Sequence, residues 1–353
     1  MRIRRSLPIV FVVLAVAAAV ALVVVLRKHA PPEPARLLPG ADGFVYVNLQ
    51  WMRRANLTGE LPAVPHDPEY EQFIQATGFQ FERDLEEAAV AVHYPSTTGE
   101  NTNEPRFSEV FVGKLQGEKM RSYLRSISRS IEDYHSVDIY NIALEGRTLR
   151  VAILGVDTVA ASNHPDVQVI HGIVERSRKL ASPFGGPALL RQYYKHVPFA
   201  SLAWAIFNVQ PGAGSSSWPL NLSFLFSKPA VVLASLRYLG TVHFRAAAYT
   251  GSENEAKHVT DQLGTFLSVY HAAENTVGPS GSDADLKALF DSLKVEQQKD
   301  RALLTATVPP GLIRKALAGA PVEVTPEPAQ PSTSAPVSPK KRQNKRAATE
   351  PAR

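Results

Sequence analysis

AVVLASLRYLGTVHFRAAAYTGSENEAKHVTDQL, residues 230–263, holds two kinds of hydrophobic spacing in one stretch. Residues 230–240 and 241–250 are rich in Val, Leu, Tyr and Phe, which suit a pleated surface, and they predict two successive strands. Ser252 follows, with Glu255 three residues on, the capping box that satisfies exposed N–H groups at a helix start. Beyond it Ala256, Val259, Leu263, Phe266, Leu267 and Tyr270 recur at helical spacing and predict one buried stripe. Strands that follow one another directly, with a helix behind them, predict an α+β fold with mostly antiparallel sheets and interspersed amphipathic helices.

The same pattern extends in both directions. Upstream, 43–49, 87–94, 108–115, 137–144, 148–155 and 158–162 predict strands. Met120, Tyr123, Leu124, Ile127 and Ile131 share a helical face, as do Tyr70, Phe73, Ile74 and Thr77 ahead of Gly78. Asn163 is placed to cap a helix with Pro165 in its first turn and Val167, Ile170 and Val174 facing inward. Strands are expected at 200–209, 220–226 and 302–308, with a helix behind Ser282 and a last one from Pro309 or Pro310. The body divides into two halves of similar style, 37–198 and 199–319.

The flanks differ from the body. Residues 7–26 are uncharged and almost wholly Val, Ala, Leu, Ile and Phe. Twenty such residues in a helix cover about 30 Å, the hydrocarbon thickness of a bilayer. The run is longer than a cleaved signal core, so an uncleaved signal anchor is expected, preceded by a cytoplasmic 1–6. Arg2, Arg4 and Arg5 ahead of the span, against Arg27 and Lys28 behind it, favour a cytoplasmic N-terminus. That places the body in the periplasm, on a bacterial inner membrane. Residues 27–36 are Pro-rich and predict an extended spacer. From 320 to 353 a Pro/Ser/Thr-rich stretch, expected to be disordered, leads into a basic tail with Lys340, Lys341, Arg342, Lys345 and Arg346.

The net charge of +5 belongs to these flanks. Residues 1–29 hold five bases and no acid, and 339–353 hold six bases and one acid. Removing these from totals of 38 and 33 leaves 27 bases and 32 acids, so the body carries −5. A basic groove for nucleic acid is not expected there. There is no cysteine, which excludes disulfides, metal thiolates and thiol nucleophiles.

LLPGADGFVYVNLQWMRRA (37–55) and TGFQFERDLEEAAVAV (77–92), with EAKHVTDQLGTFL (255–267) and LLTATVP (303–309), resemble an uncharacterised group of exported, membrane-anchored bacterial proteins recurrent in Acidobacteria. The resemblance implies an envelope location and brings no catalytic or binding residue with it.

Motifs for chemistry are sparse. Ten histidines include no H-E-x-x-H, and His164 and His171 flank a helix start rather than share a face. GAGSSSW (212–218) has G-x-G, but Trp218-Pro219 stands where a Rossmann helix would begin, so no cofactor is expected. Trp218 remains a candidate contact for a sugar or partner, whereas Trp51 and Trp204 are expected in the core. Glu86–Glu87, Glu132–Asp133 and Asp283–Asp285 read as solvated acids on helices or caps. These observations favour a single-pass envelope protein with a non-catalytic binding or scaffolding domain, its partner an envelope protein or anionic polymer. A periplasmic hydrolase or transferase acting on envelope polymers is the alternative, and a tail-mediated nucleic-acid binder the third reading.

Overall fold

The computed structural model describes residues 30–57, 66–94, 104–144, 146–178, 186–211, 223–277 and 284–318. Among these described residues twelve strands, numbered in chain order, form one sheet with every pairing antiparallel, in the order β11-β12-β10-β9-β8-β1-β2-β3-β7-β6-β5-β4. The first seven strands are β1 Gly43–Asn48, β2 Leu85–His93, β3 Arg106–Gly113, β4 Ser130–Tyr134, β5 Val137–Leu144, β6 Arg147–Ile153 and β7 Thr158–Ser162. The other five are β8 Ser201–Val209, β9 Ala230–Tyr238, β10 Val242–Tyr249, β11 Lys294–Gln298 and β12 Arg301–Val308. The longer helices are α1 Glu33–Leu37, α2 Leu49–Arg54, α3 Pro68–Thr77, α4 Gly117–Ile127, α5 Gln168–Arg178, α6 Ala188–Tyr193, α7 Glu253–Val277, α8 Ala284–Ser292 and α9 Pro310–Ala318.

β1 sits at the seam. It pairs with β2 on one side and β8 on the other, so the hydrogen bonds between 43–47 and 203–207 join the two halves. Each half begins with a meander, β1-β2-β3 or β8-β9-β10, then a helical segment, then hairpins that return β7 beside β3 or β12 beside β10.

Period-two alternation divides the strand residues between two faces. Phe44, Tyr46, Ala89, Ala91, Val110, Trp204, Ile206 and Leu233 point to one face, where they pack with Leu37 and Leu38 and with Ile170, Ile173 and Val174 of α5. The opposite face carries α4, through Met120 and Leu124 against Tyr140, Val151 and Ala161, and α7, through Val259 against Val209, Ala248 and Ala302.

Several elements depart from the sequence expectation. The spacer is shorter: α1 begins at Glu33, with Pro34 tolerated in the first turn and Pro34, Ala35 and Leu37 buried. α4 stops at Ile127, and Ile131 instead pairs with Tyr140 in the β4–β5 hairpin. That hairpin turns through His135 and Ser136 at φ 52° and 58°, a type I′ geometry without its usual Asn-Gly signature. β11 was not expected because it is an exposed edge strand with one apolar residue. α5 starts at Gln168, capped by the Asp166 side chain, while the Asn163 Oδ1 accepts from the Phe107 N–H. Residues 223–225 form a 3-10 turn where a strand was expected.

The buried stripe on α7 ends at Leu263, and Phe266 is 59% exposed. A helix of 25 residues runs about 37 Å, beyond the roughly 30 Å of a nine-residue strand, so its far end leaves the sheet. Trp51 is 56% exposed on α2, because the Asn48 cap turns the chain out of the sheet before it. Glu86, Glu87, Glu132 and Asp133 lie on strands. Among the described residues no helix is long and apolar enough to cross a membrane. Residues 7–26, Trp218, Asp283 and the basic tail lie outside them.

The seam has a tight point at Gly43, which pairs with Phe207 so that the aromatic ring occupies the space a Cβ would take. Gly43→Ala is expected to cost about 1–3 kcal/mol by displacing that ring. A Gly43→Ala/Phe207→Leu double variant, followed by thermal melting, should lose less than the sum of the two single changes. Strict additivity would contradict the contact.

Candidate functional site

The apolar face of the second half encloses a cavity of about 270 Å³ between the sheet and α7. Its floor follows from strand register. Ala205 lies opposite Ala234, Ala234 opposite Ala246 and Ala246 opposite Leu304, so three alanines in a row leave a trough across four strands. One edge is the neighbouring row, Phe207, Val232, Ala248 and Ala302. Val259 and Leu263 of α7 close it from above, and Leu225 and Phe226 from the side. The Ser252 hydroxyl accepts from the Glu255 N–H, and Glu255 in turn receives the Ser227 hydroxyl, which ties the 3-10 turn to the start of α7.

The described lining is hydrocarbon apart from Tyr94 and Asn208. Burial, with the nearby Asp42 carboxylate, pushes the Tyr94 phenol up to about 12, so it is neutral at physiological pH. A charged group placed against such a lining would lose its hydration without replacement, whereas apolar surface gains about 25 cal/mol per Å² buried. For scale, an engineered apolar cavity of about 150 Å³ admits benzene.

Among the polar clusters of the described residues, three bear on possible chemistry. The first is a buried row across β2, β3 and β7: His93 Nε2 is 3.0 Å from Ser108 Oγ, which is 3.0 Å from Ser162 Oγ. A serine against a histidine has the spacing of an activated nucleophile. Ser108 is fully buried, however, so no acyl group could reach its oxygen, and the row satisfies buried polar groups instead. Burial first, then the neighbouring His164 ring, drive the His93 pKa down to about 4.

The second cluster holds α5 to the β4–β5 hairpin. His171 Nε2 lies 2.8 Å from Glu132 Oε1, its ring stacks on Tyr134 at 3.8 Å, and the Tyr134 hydroxyl donates to Glu175. His164 and His171 thus engage separate partners. Among the described residues no group of three His, Cys, Asp or Glu could hold a metal ion.

The third is a cleft of about 160 Å³ that brings together Glu33, Glu87 and Asp157. The Tyr46 hydroxyl donates to Glu87 at 2.9 Å and receives the Asn48 amide at 3.2 Å. Burial raises the Glu87 pKa, the Tyr46 hydrogen bond opposes the rise, and the charges of Glu86, Glu33 and Asp157 add to it. Spacing in sequence gave no sign of this convergence, because the three acids come from α1, β2 and the β6–β7 turn. The alanine trough was equally hidden, since cross-strand register sets it.

No protein-family model matches the chain, and no curated protein matches it. Among solved structures the chain is similar to TP0453. Crystal form III has a TM-score of 0.42 and 10% identity over 82% of this chain and 98% of that one. Crystal form IV has a TM-score of 0.44 and 8% identity over 82% and 97%.

The His93 row has a pH consequence. Its folded pKa lies below the unfolded value of about 6.5, so its contribution to stability is complete above pH 6.5 and is lost as pH falls towards 4. The full loss is on the order of 3 kcal/mol. Melting temperature followed across that window should fall in the native chain and fall less in His93→Gln. Parallel curves would contradict the assignment.

Proposed function

We propose that the chain is a single-pass, membrane-anchored bacterial envelope protein whose periplasmic body binds an apolar ligand without catalysis. The observation that carries the binding reading is the alanine-floored cavity under α7, large enough for a small hydrocarbon group and lined by carbon. The anchor reading draws on the uncharged run 7–26 and its flanking arginines, and the envelope location also on the resemblance of 37–55 and 77–92 to exported proteins. The repeated order of meander, helix and hairpins supports the body as two similar halves, of which the second holds the cavity.

A hydrolase acting on envelope polymers is the second reading, favoured by the cleft where Glu87, with its raised pKa, faces Glu33 and Asp157. A carboxyl whose pKa is raised by burial and by neighbouring acids is better suited than a solvated one to donate a proton to a leaving group.

N-Phenyl-1-naphthylamine, a neutral apolar fluorophore, tests the first reading on the full chain. Its emission should rise with protein and be lost in Ala234→Leu/Ala246→Leu, which fills the trough, while the melting temperature holds or rises. Unchanged emission in the filled variant would overturn the cavity. Cleavage of envelope glycan that disappears in Glu87→Gln, with no dye binding, would put the hydrolase in its place.

A further inference from the structure

The face of the sheet opposite the cavity is cationic in its outer half. Phe244, Ala246 and Ala248 line the cavity, so alternation puts His243, Arg245 and Tyr249 on the other side of β10. Arg237 pairs with His243, and Arg301 with Tyr249, which adds both arginines to the same face. Residues Tyr194–His196 reach it from α6: the His196 ring lies 5.0 Å from that of Tyr249, and Arg301 stands over the same ring at 5.5 Å. Lys195, Arg301 and Arg245 are close enough that their charges add to burial in depressing the His196 pKa. The acids at the border are Asp300, 4.0 Å from Arg301 in the β11–β12 turn, and Glu296 on the edge strand. In a body with a net charge of −5, these cations are concentrated on one face.

The chain also enters the body on this face, since Ala35, Leu37 and Leu38 of the α1 region pack in the core on that side. If the span ends at Leu26, residues 27–32 can reach at most about 20 Å when extended, so the tether delivers this face towards the membrane. Surface potential from anionic lipid acts over about a Debye length, roughly 8–10 Å. A fully hydrated arginine gains little from one isolated phosphate, but several on one face meet a charged plane together.

We propose that this face docks the body onto the bilayer, with Arg237, Arg245, Arg301 and Lys195 against the phosphates of anionic phospholipid headgroups. The proposal rests on the anchor reading for residues 7–26. Because the chain has no cysteine, Thr305→Cys, on the same face, gives a single labelling site, and Ser268→Cys on α7 serves as the control. The full-length chain would be placed in nanodiscs of phosphatidylcholine alone or mixed with phosphatidylglycerol, and energy transfer measured from the label to a headgroup acceptor.

Transfer from position 305 should be at least twofold higher with phosphatidylglycerol. It should fall at high salt and return to the phosphatidylcholine level in Arg237→Glu/Arg245→Glu, with position 268 unaffected. Incorporation without any dependence on phosphatidylglycerol or charge reversal would overturn docking and leave the anchor standing. Failure of the chain to incorporate in either disc would overturn the anchor. Binding of soluble polyphosphate that is lost in Arg237→Glu/Arg245→Glu, with no added transfer from phosphatidylglycerol in the native chain, would assign the face to an anionic polymer and overturn the lipid assignment.

Discussion

The pairing of β1 with β8 is the constraint on which the structure depends. Strands 43–47 and 203–207 are about 160 residues apart in sequence, yet their hydrogen bonds make one sheet of two meanders. Closing so long a loop is entropically unfavourable, and the residues at the seam supply the compensation. Phe44, Tyr46, Trp204 and Ile206 are all buried on one face, and Tyr46 stacks on Trp204 at 5.6 Å. On the other face Gly43 leaves room for Phe207, whose ring is also a wall of the cavity. The seam that joins the halves therefore also shapes the candidate site.

The two faces of the sheet serve different ends. One receives α1, α5 and α6 and, farther out, an open row of arginines and histidines. The other receives α4 in the first half, with large side chains filling the space beneath it, and α7 in the second. There small side chains leave it unfilled. Alanine at 205, 234 and 246 forgoes the packing that leucine or valine would give, at a cost in dispersion and buried area. A row of such losses along one register is the cost of a cavity and fits a body that holds something apolar there.

Much of the fold was legible in the sequence. Strands 137–144 and 158–162 match their expected bounds, the Ser252–Glu255 spacing marks the start of α7, and Gly78 ends α3 with φ 70°. The elements missed lacked their usual signals. β4 turns through His-Ser instead of Asn-Gly, and β11 is an edge strand with little to bury. Phe266 kept the helical period but lies where the helix has outrun the sheet. The cavity, the acid cleft and the cationic face were not legible, because each arises from residues that meet only through strand pairing. Reading alternation on β9, β10 and β12 together would have separated the alanines from the arginines, had the pairing been known.

Hydrogen–deuterium exchange of the full chain, with and without 1-dodecanol as a neutral single-chain ligand, tests the central claim most directly. Protection should rise in 253–263 of α7 and in β9 and β10, with the β1–β8 seam already slow and unchanged. Protection confined to α1, β2 and the 154–158 turn would place the ligand in the acid cleft and contradict the account.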